Sequence, residues 1–141
     1  MLKLIRARRK NGEKGQALVE FTLLVPVFLL LLFAIIDFGM GFYSWITVTN
    51  AAREGARLGA VLATQQEIED RVYQTADLPD ESTKMTVTVT NAQGQPGESV
   101  VVTVDYDYDL ITPLAGIVNF VSGNTLGPTL TFSSTAEMRL E

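Results

Sequence analysis

Two carboxylates bracket the most apolar stretch of this 141-residue chain. Glu20 stands at the front edge of sixteen consecutive uncharged residues, Phe21 to Ile36, and Asp37 closes the run. An ionised side chain costs roughly 2.5–3.5 kcal/mol at the centre of a bilayer and less near its surface. An acid so placed is either hydrated at an interface or paired with a cation in a dry setting, and charge pairing is the chemistry open to it. Asp37 lies seventeen residues beyond Glu20, about 25 Å along a helix. It is expected as a hydrated acid at the outer interface, with a helix contact as the alternative. Arg53 and Arg57 are four apart on one helix face, and of the two only Arg57 is spaced to meet Glu54. They are candidates for contact with an acidic patch or for a solvated face. Asp105, Asp107 and Asp109 alternate on one strand face, about 6.8 Å apart. They predict a solvated acidic face, since calcium needs about six to eight oxygens converging on one point.

Catalysis has little to draw on. The chain has no Cys and no His, which removes thiol chemistry, disulfides, most zinc sites and the usual general base. It has no Walker loop, no dinucleotide fingerprint and no nucleophile motif. No enzyme activity, metal or cofactor is expected.

The acids need an element to hold them. Phe21–Ile36 would span roughly 24 Å as a helix, slightly short of a ~30 Å hydrocarbon core. Apolar character continues through Phe38, Met40, Phe42, Tyr43, Trp45 and Ile46, so a membrane span reaching into the forties fits, with Tyr43 and Trp45 at the far interface. Residues 1–15 carry Lys3, Arg6, Arg8, Arg9, Lys10 and Lys14 against Glu13, a net +5, leaving −10 for the rest of a chain whose total is −5. Positive charge stays on the cytoplasmic side, which puts the C-terminal body outside. A basic tail abutting a membrane segment on an acidic body argues against nucleic-acid binding. A conventional secretory signal would have a shorter apolar region and a small-residue cleavage site, which is missing here.

One long helix is expected over about residues 17–63. Its small residues at 52, 55, 56, 59, 60 and 63 include Gly55-x-x-x-Gly59, a spacing that permits close approach. The protein's own sheet is the expected neighbour, with helix–helix contact between subunits as the alternative. Thr64-Gln-Gln-Glu67 spells a capping box, so a second helix should run over about 65–76. The period then changes to two over Met85–Thr90, over Val100–Tyr108 and over Leu130–Leu140, predicting three strands. Asn91–Glu98 supplies a hairpin loop. Ile111–Pro128 reads as a long connection with at most one helical turn, or as a partner surface. Three half-apolar strands need a cover. The expected fold is therefore α+β: a long N-terminal transmembrane, pilin-like helix, a short second helix and a small antiparallel three-stranded sheet packed on the helix. The expected organisation is a basic leader over 1–15, a membrane half-helix over 16–46 and an extracytoplasmic head over 47–141.

Gly15, Gln16 and Glu20, in GQALVEF after a short basic leader, resemble a type IV prepilin signal. GQALVEF, IIDFG, NAAREGARLGAV and the closing STAEMRLE, in that order, resemble the TadE-like minor pilins (pseudopilins) of tight-adherence, Flp-type pili. The resemblance is strongest over residues 15–61 and weaker over 100–115 and 130–141. Phe21 after Glu20 departs from the Glu-Tyr pair typical of the major pilin, which favours a minor subunit. The resemblance implies cleavage between Gly15 and Gln16 by a prepilin peptidase. It implies that Glu20, fifth in the product, pairs with a neighbouring subunit's new amine and sets axial register. It further implies membrane lipid, other pilin and minor pilin subunits and an inner-membrane assembly platform as partners, and a bacterial inner-membrane location. The function it implies is assembly or initiation of an adhesive pilus. A permanently anchored single-pass accessory or binding protein is the alternative.

Overall fold

The computed structural model describes the backbone of residues 2–123 and 129–141, with side chains from residue 15 onward in those ranges. The side chains of the basic leader, and residues 124–128 of the long connection, lie outside the described residues. In chain order the elements are α1 (Leu2–Gly59), α2 (Gln65–Ala76), α3 (Glu81–Lys84), β1 (Met85–Thr90), β2 (Ser99–Asp109), α4 (Leu114–Ser122) and β3 (Thr129–Arg139). The chain divides into two units, one ending at Ile36 and one running Asp37–Glu141.

In the first unit the apolar side chains from Leu18 onward are largely uncovered by protein. Among the described residues, one helix is long and apolar enough to cross a membrane. The helix continues through Pro26. Thr22 returns its hydroxyl to the Leu18 carbonyl at 2.8 Å, so no polar hydrogen is left facing an apolar surround. Helix begins earlier than expected, because the Leu, Arg, Lys and Ala of the leader are all good helix formers.

Helix also ends earlier than expected, at Gly59 rather than near 63. Ala60 donates to Ala56 O, then Val61 and Leu62 donate one residue closer, to Leu58 O and Gly59 O. Leu62 takes φ 63°, which turns the chain. Thr64 then starts α2. Its hydroxyl accepts from the Glu67 N–H at 3.3 Å, and the Glu67 carboxylate accepts from the Thr64 N–H at 2.8 Å, completing the capping box.

The sheet has the order β1-β2-β3 with both pairs antiparallel. Val102 stands between Val89 and Ala136, and Val104 between Val87 and Ser134. This register puts Val100, Val102, Val104, Tyr106 and Tyr108 on one buried face. Ile68, Val72 and Ala76 of α2 and a narrow stripe of α1 close over that face. The stripe runs Asp37, Gly41, Ser44, Val48, Ala51 and Gly55, all buried, in alternating steps of four and three that keep one helix face turned inward.

Close approach is built from missing side chains. A Cβ on Gly55 would stand 2.6 Å from Val72 Cγ2 and 3.3 Å from Val102 Cγ1, and one on Gly59 would stand 2.9 Å from Val100 Cγ2. The Gly55/Gly59 pair thus faces this protein's own sheet and α2. Two short helices exceed the expectation. Asp80, at φ 54°, opens α3. The connection after β2 forms the nine-residue α4, ending in Gly123 at φ 63°. Its text, LAGIVNFVS, contains no proline to break a helix, and glycine ends it in the left-handed region that favours glycine.

We expect Gly55→Ala to destabilise the unit despite better helix propensity. Overpacking costs about 1–3 kcal/mol, against a propensity gain of roughly 1 kcal/mol. Gly39→Ala, where a Cβ would meet nothing within 4 Å, should cause no loss. Unfolding curves of the detergent-solubilised full chain compare the two, and equal effects would remove the close-packing argument.

Candidate functional site

Charged groups on α1 meet three different environments. At its apolar front, Glu20 is exposed, and its Oε1 accepts from Gln16 Nε2 at 3.0 Å, one helical turn back. Gln16 and Gly15 are exposed too, and nothing lies within 4 Å of where a Gly15 Cβ would be. Among the described residues, no side chain packs against Gly15.

Asp37 is different. It is 2% exposed, which corrects the expectation of a hydrated interfacial acid. Its Oδ1 accepts the backbone N–H of Ile111 at 2.9 Å and of Thr112 at 3.2 Å, while its Oδ2 accepts the Thr112 hydroxyl in a short bond. The Tyr108 hydroxyl donates to the Asp37 backbone carbonyl at 3.3 Å. A carboxylate held by several N–H and O–H donors is satisfied without water. The fold explains why these partners meet. β2 runs along the α1 stripe, so the residues just after Asp109 arrive beside the residue that starts it. Thr112 and the two amides were not legible as partners, because the two sides of the clip are 74 and 75 residues apart in sequence. One signal was available: Asp37, Gly41 and Ser44 already share the face of the small residues further along.

Beside this clip lies an apolar groove of about 780 Å³, lined by Phe38, Phe42 and Trp45 of α1, Leu114 and Val118 of α4 and Phe132 of β3. At the other end of the α1 stripe, Arg53 is exposed. Arg57 Nη2 meets Glu54 at 2.9 Å, the pairing its spacing allows, and Arg71 of α2 reaches the same Glu54 oxygen at 3.3 Å. The Arg71 contact ties α2 to α1 and was not foreseen. Hydrogen bonds from Arg57 and then Arg71 hold the Glu54 carboxyl below its ordinary value. On the open face of the sheet, Asp107 and Asp109 accept cross-strand hydroxyls from Thr131 and Thr129, each at 2.6 Å. Lys84 lies 3.2 Å from both Asp80 and Asp109.

The clip and the Glu54 pairing are each open to measurement. Asp37→Ala removes the acceptor of two backbone amides, each costing about 1–3 kcal/mol if left buried and unpaired. We expect faster hydrogen exchange at Ile111 and Thr112 and little change at Thr88. Unchanged exchange at Ile111 would mean the clip does not hold the chain there. Glu54 has a lowered folded pKa, so its tie to Arg57 and Arg71 is complete above the ordinary glutamate range and is lost as pH falls through the lowered value. Amide protection in α2 should decline on acidification through that window, and less so in Glu54→Gln. Protection that is flat across the window would show that the tie does not hold α2.

Neither curated proteins nor solved structures give a significant match to the chain. A family model does: the family described as TadE-like protein matches residues 15–57. The matched segment opens at Gly15, contains Glu20, Asp37, Arg53 and Gly55, and ends at Arg57 within α1. Over this segment, in which GQALVEF, IIDFG and NAAREGAR fall, the chain is similar to the TadE-like family, and that likeness suggests an involvement with tight-adherence pili.

Proposed function

We propose that this protein is a minor pilin, or pseudopilin, precursor that acts in assembly or initiation of a tight-adherence pilus. The observation that carries the reading is the Gly15–Gln16 junction, with Glu20 four residues further on at the mouth of an apolar helix, inside the TadE-like segment. In this reading the basic residues stay in the cytoplasm, the apolar run sits in the bacterial inner membrane and the C-terminal unit lies outside. A prepilin peptidase cuts after Gly15. Gln16 then carries a free amine, and Glu20 pairs with the amine of a neighbouring subunit. An unpaired charge in a dry helix bundle is costly, so the pairing selects one axial register and rejects others. Pilin and minor pilin subunits and an inner-membrane assembly platform are the partners. The role is structural, with no catalysis.

One observation favours a second reading, a permanent single-pass anchor. α1 runs unbroken through Gly15, and a peptidase must unwind a helical bond before cutting it.

Intact mass and N-terminal sequence of the protein from native membranes decide between them. We expect a product that begins at Gln16 and has lost residues 1–15. Replacement of Gly15 should abolish this processing and reduce piliation, and Glu20→Ala should reduce piliation while leaving cleavage intact. A full-length chain in cells with an active prepilin peptidase would establish the anchor instead.

A further inference from the structure

α4 carries its larger apolar side chains over one broad face, since Leu114, Ile117, Val118 and Val121 follow the i, i+3, i+4, i+7 spacing, with Ala115, Asn119 and Ser122 on the other side. Leu114 and Val118, one turn apart, line the groove, while Ile117, Phe120 and Val121 are exposed. Phe120 is 89% and Val121 78% exposed, and Leu114–Ser122 has no charged residue. An apolar helix face left this uncovered by its own protein belongs against a partner core or in lipid. Phe38, Phe42 and Trp45 of α1 share a face at steps of four and three, and all three are exposed. They adjoin α4 across the groove, so the two helices present one apolar surface.

The backbone is equipped for a place without water. The Ile111 and Thr112 amides go to Asp37, and the Leu114 amide goes to the Thr112 hydroxyl at 3.3 Å. Pro113 has no N–H. Ala115 donates to Thr112 O, and Gly116 and Ile117 donate to Pro113 O. Every backbone N–H from Ile111 to Ile117 therefore has a partner inside the protein. A helix start in water can be capped or left to solvent, whereas a helix in lipid must satisfy each amide internally, a condition this segment meets. Ser44 and Thr49 likewise return their hydroxyls to Met40 O and Trp45 O.

We infer that α4 and the Phe38–Phe42–Trp45 face lie in the outer leaflet of the bilayer, with phospholipid acyl chains as the occupant of the groove. The anchor points are on the chain itself. Asp37, which holds the start of α4, directly follows the last residue of the apolar run in sequence, so the Phe38–Phe42–Trp45 face and α4 come immediately after that run along the chain. Lipid is favoured over a protein partner because the surface continues the apolar run along the chain, and among the described residues the one charged residue lining it, Asp37, is buried and turned to the Ile111 and Thr112 amides. Helices of this kind sit about 5–10 Å into the headgroup and acyl boundary. The Lys84, Asp80 and Asp109 cluster, which ends two residues before Ile111, marks the water side. The inference needs the apolar run to be membrane-seated and does not depend on cleavage or pilus assembly.

The chain has no Cys and a single Trp, so an introduced thiol and the native indole each report from one place. Phe120→Cys and, as control, Thr88→Cys on the far strand of the sheet are each labelled with an environment-sensitive fluorophore in the full chain. The proteins are reconstituted in phosphatidylcholine vesicles containing lipids with a nitroxide near the headgroup. We expect blue-shifted emission and several-fold stronger quenching at 120 than at 88, with Trp45 quenched in parallel and no dependence on salt. Trp45 quenched with position 120 as water-exposed as position 88 overturns the inference and leaves the membrane anchor standing. Neither Trp45 nor position 120 quenched overturns both. Position 120 shielded without lipid quenching, with a disulfide forming between two copies of unlabelled Phe120→Cys, overturns it in favour of self-association.

Discussion

A buried carboxylate must collect donors, and Asp37 collects them from a segment 74 and 75 residues away. That requirement organises the second unit. The chain after β2 has to return to the start of the α1 stripe, so β2 must run along α1, and the hairpin partners of β2 then fall on either side. The interaction also fixes where the connection to β3 begins. With the Ile111 and Thr112 amides held on Asp37, Pro113 follows at a position that suits a helix start, and the apolar text after it forms α4. A conservative change to Asn would retain one acceptor oxygen but place an amide nitrogen where a hydroxyl now donates.

The stripe that follows Asp37 works by leaving atoms out. This unit has no disulfide to reinforce it, since the chain has no cysteine, and among the described residues its sheet has three strands. Stability in such a case depends on how tightly the cover packs, because dispersion contacts fall away steeply with a gap of less than an ångström. Gly55 and Gly59 bring the helix backbone onto Val72, Val100 and Val102, and alanines at 51, 52 and 56 fill the space between. Glycines that weaken an isolated helix are here the condition for burying the valine face of β2. Local propensity gives way to packing at these positions.

Much of this fold was legible. The switch from a spacing of three and four to a spacing of two marks where helix gives way to strand, and Thr64-Gln-Gln-Glu67 marks the start of α2 within a residue. What stayed hidden was set by contacts distant in sequence. Asp37 reads as an interfacial acid when only its neighbours are considered, and its burial depends on Tyr108, Ile111 and Thr112. Arg71 meets Glu54 only once α2 has folded back. α4 reads as a loop because Gly116 and Gly123 and the flanking Pro113 and Pro128 punctuate a stretch too short for its helical spacing to stand out. The TadE-like match was legible, since it rests on local spelling within one helix.

The two acids that bracket the apolar run now differ in kind. Asp37 is buried and receives three donors from its own chain, so it serves the fold. Glu20 is exposed, and its hydrogen bond comes from the neutral amide of Gln16. A neutral donor one turn back does not offset a full charge when the surround is apolar, because the cost of desolvating an ion greatly exceeds the gain from one such bond. Glu20 is thus tolerable where water or headgroups reach it and costly wherever helices or lipid close over it, unless a cation arrives with them. Under the proposed pilin role, closing an apolar helix bundle around this residue would make the arrival of a cation the condition for assembly, which is what a register device requires.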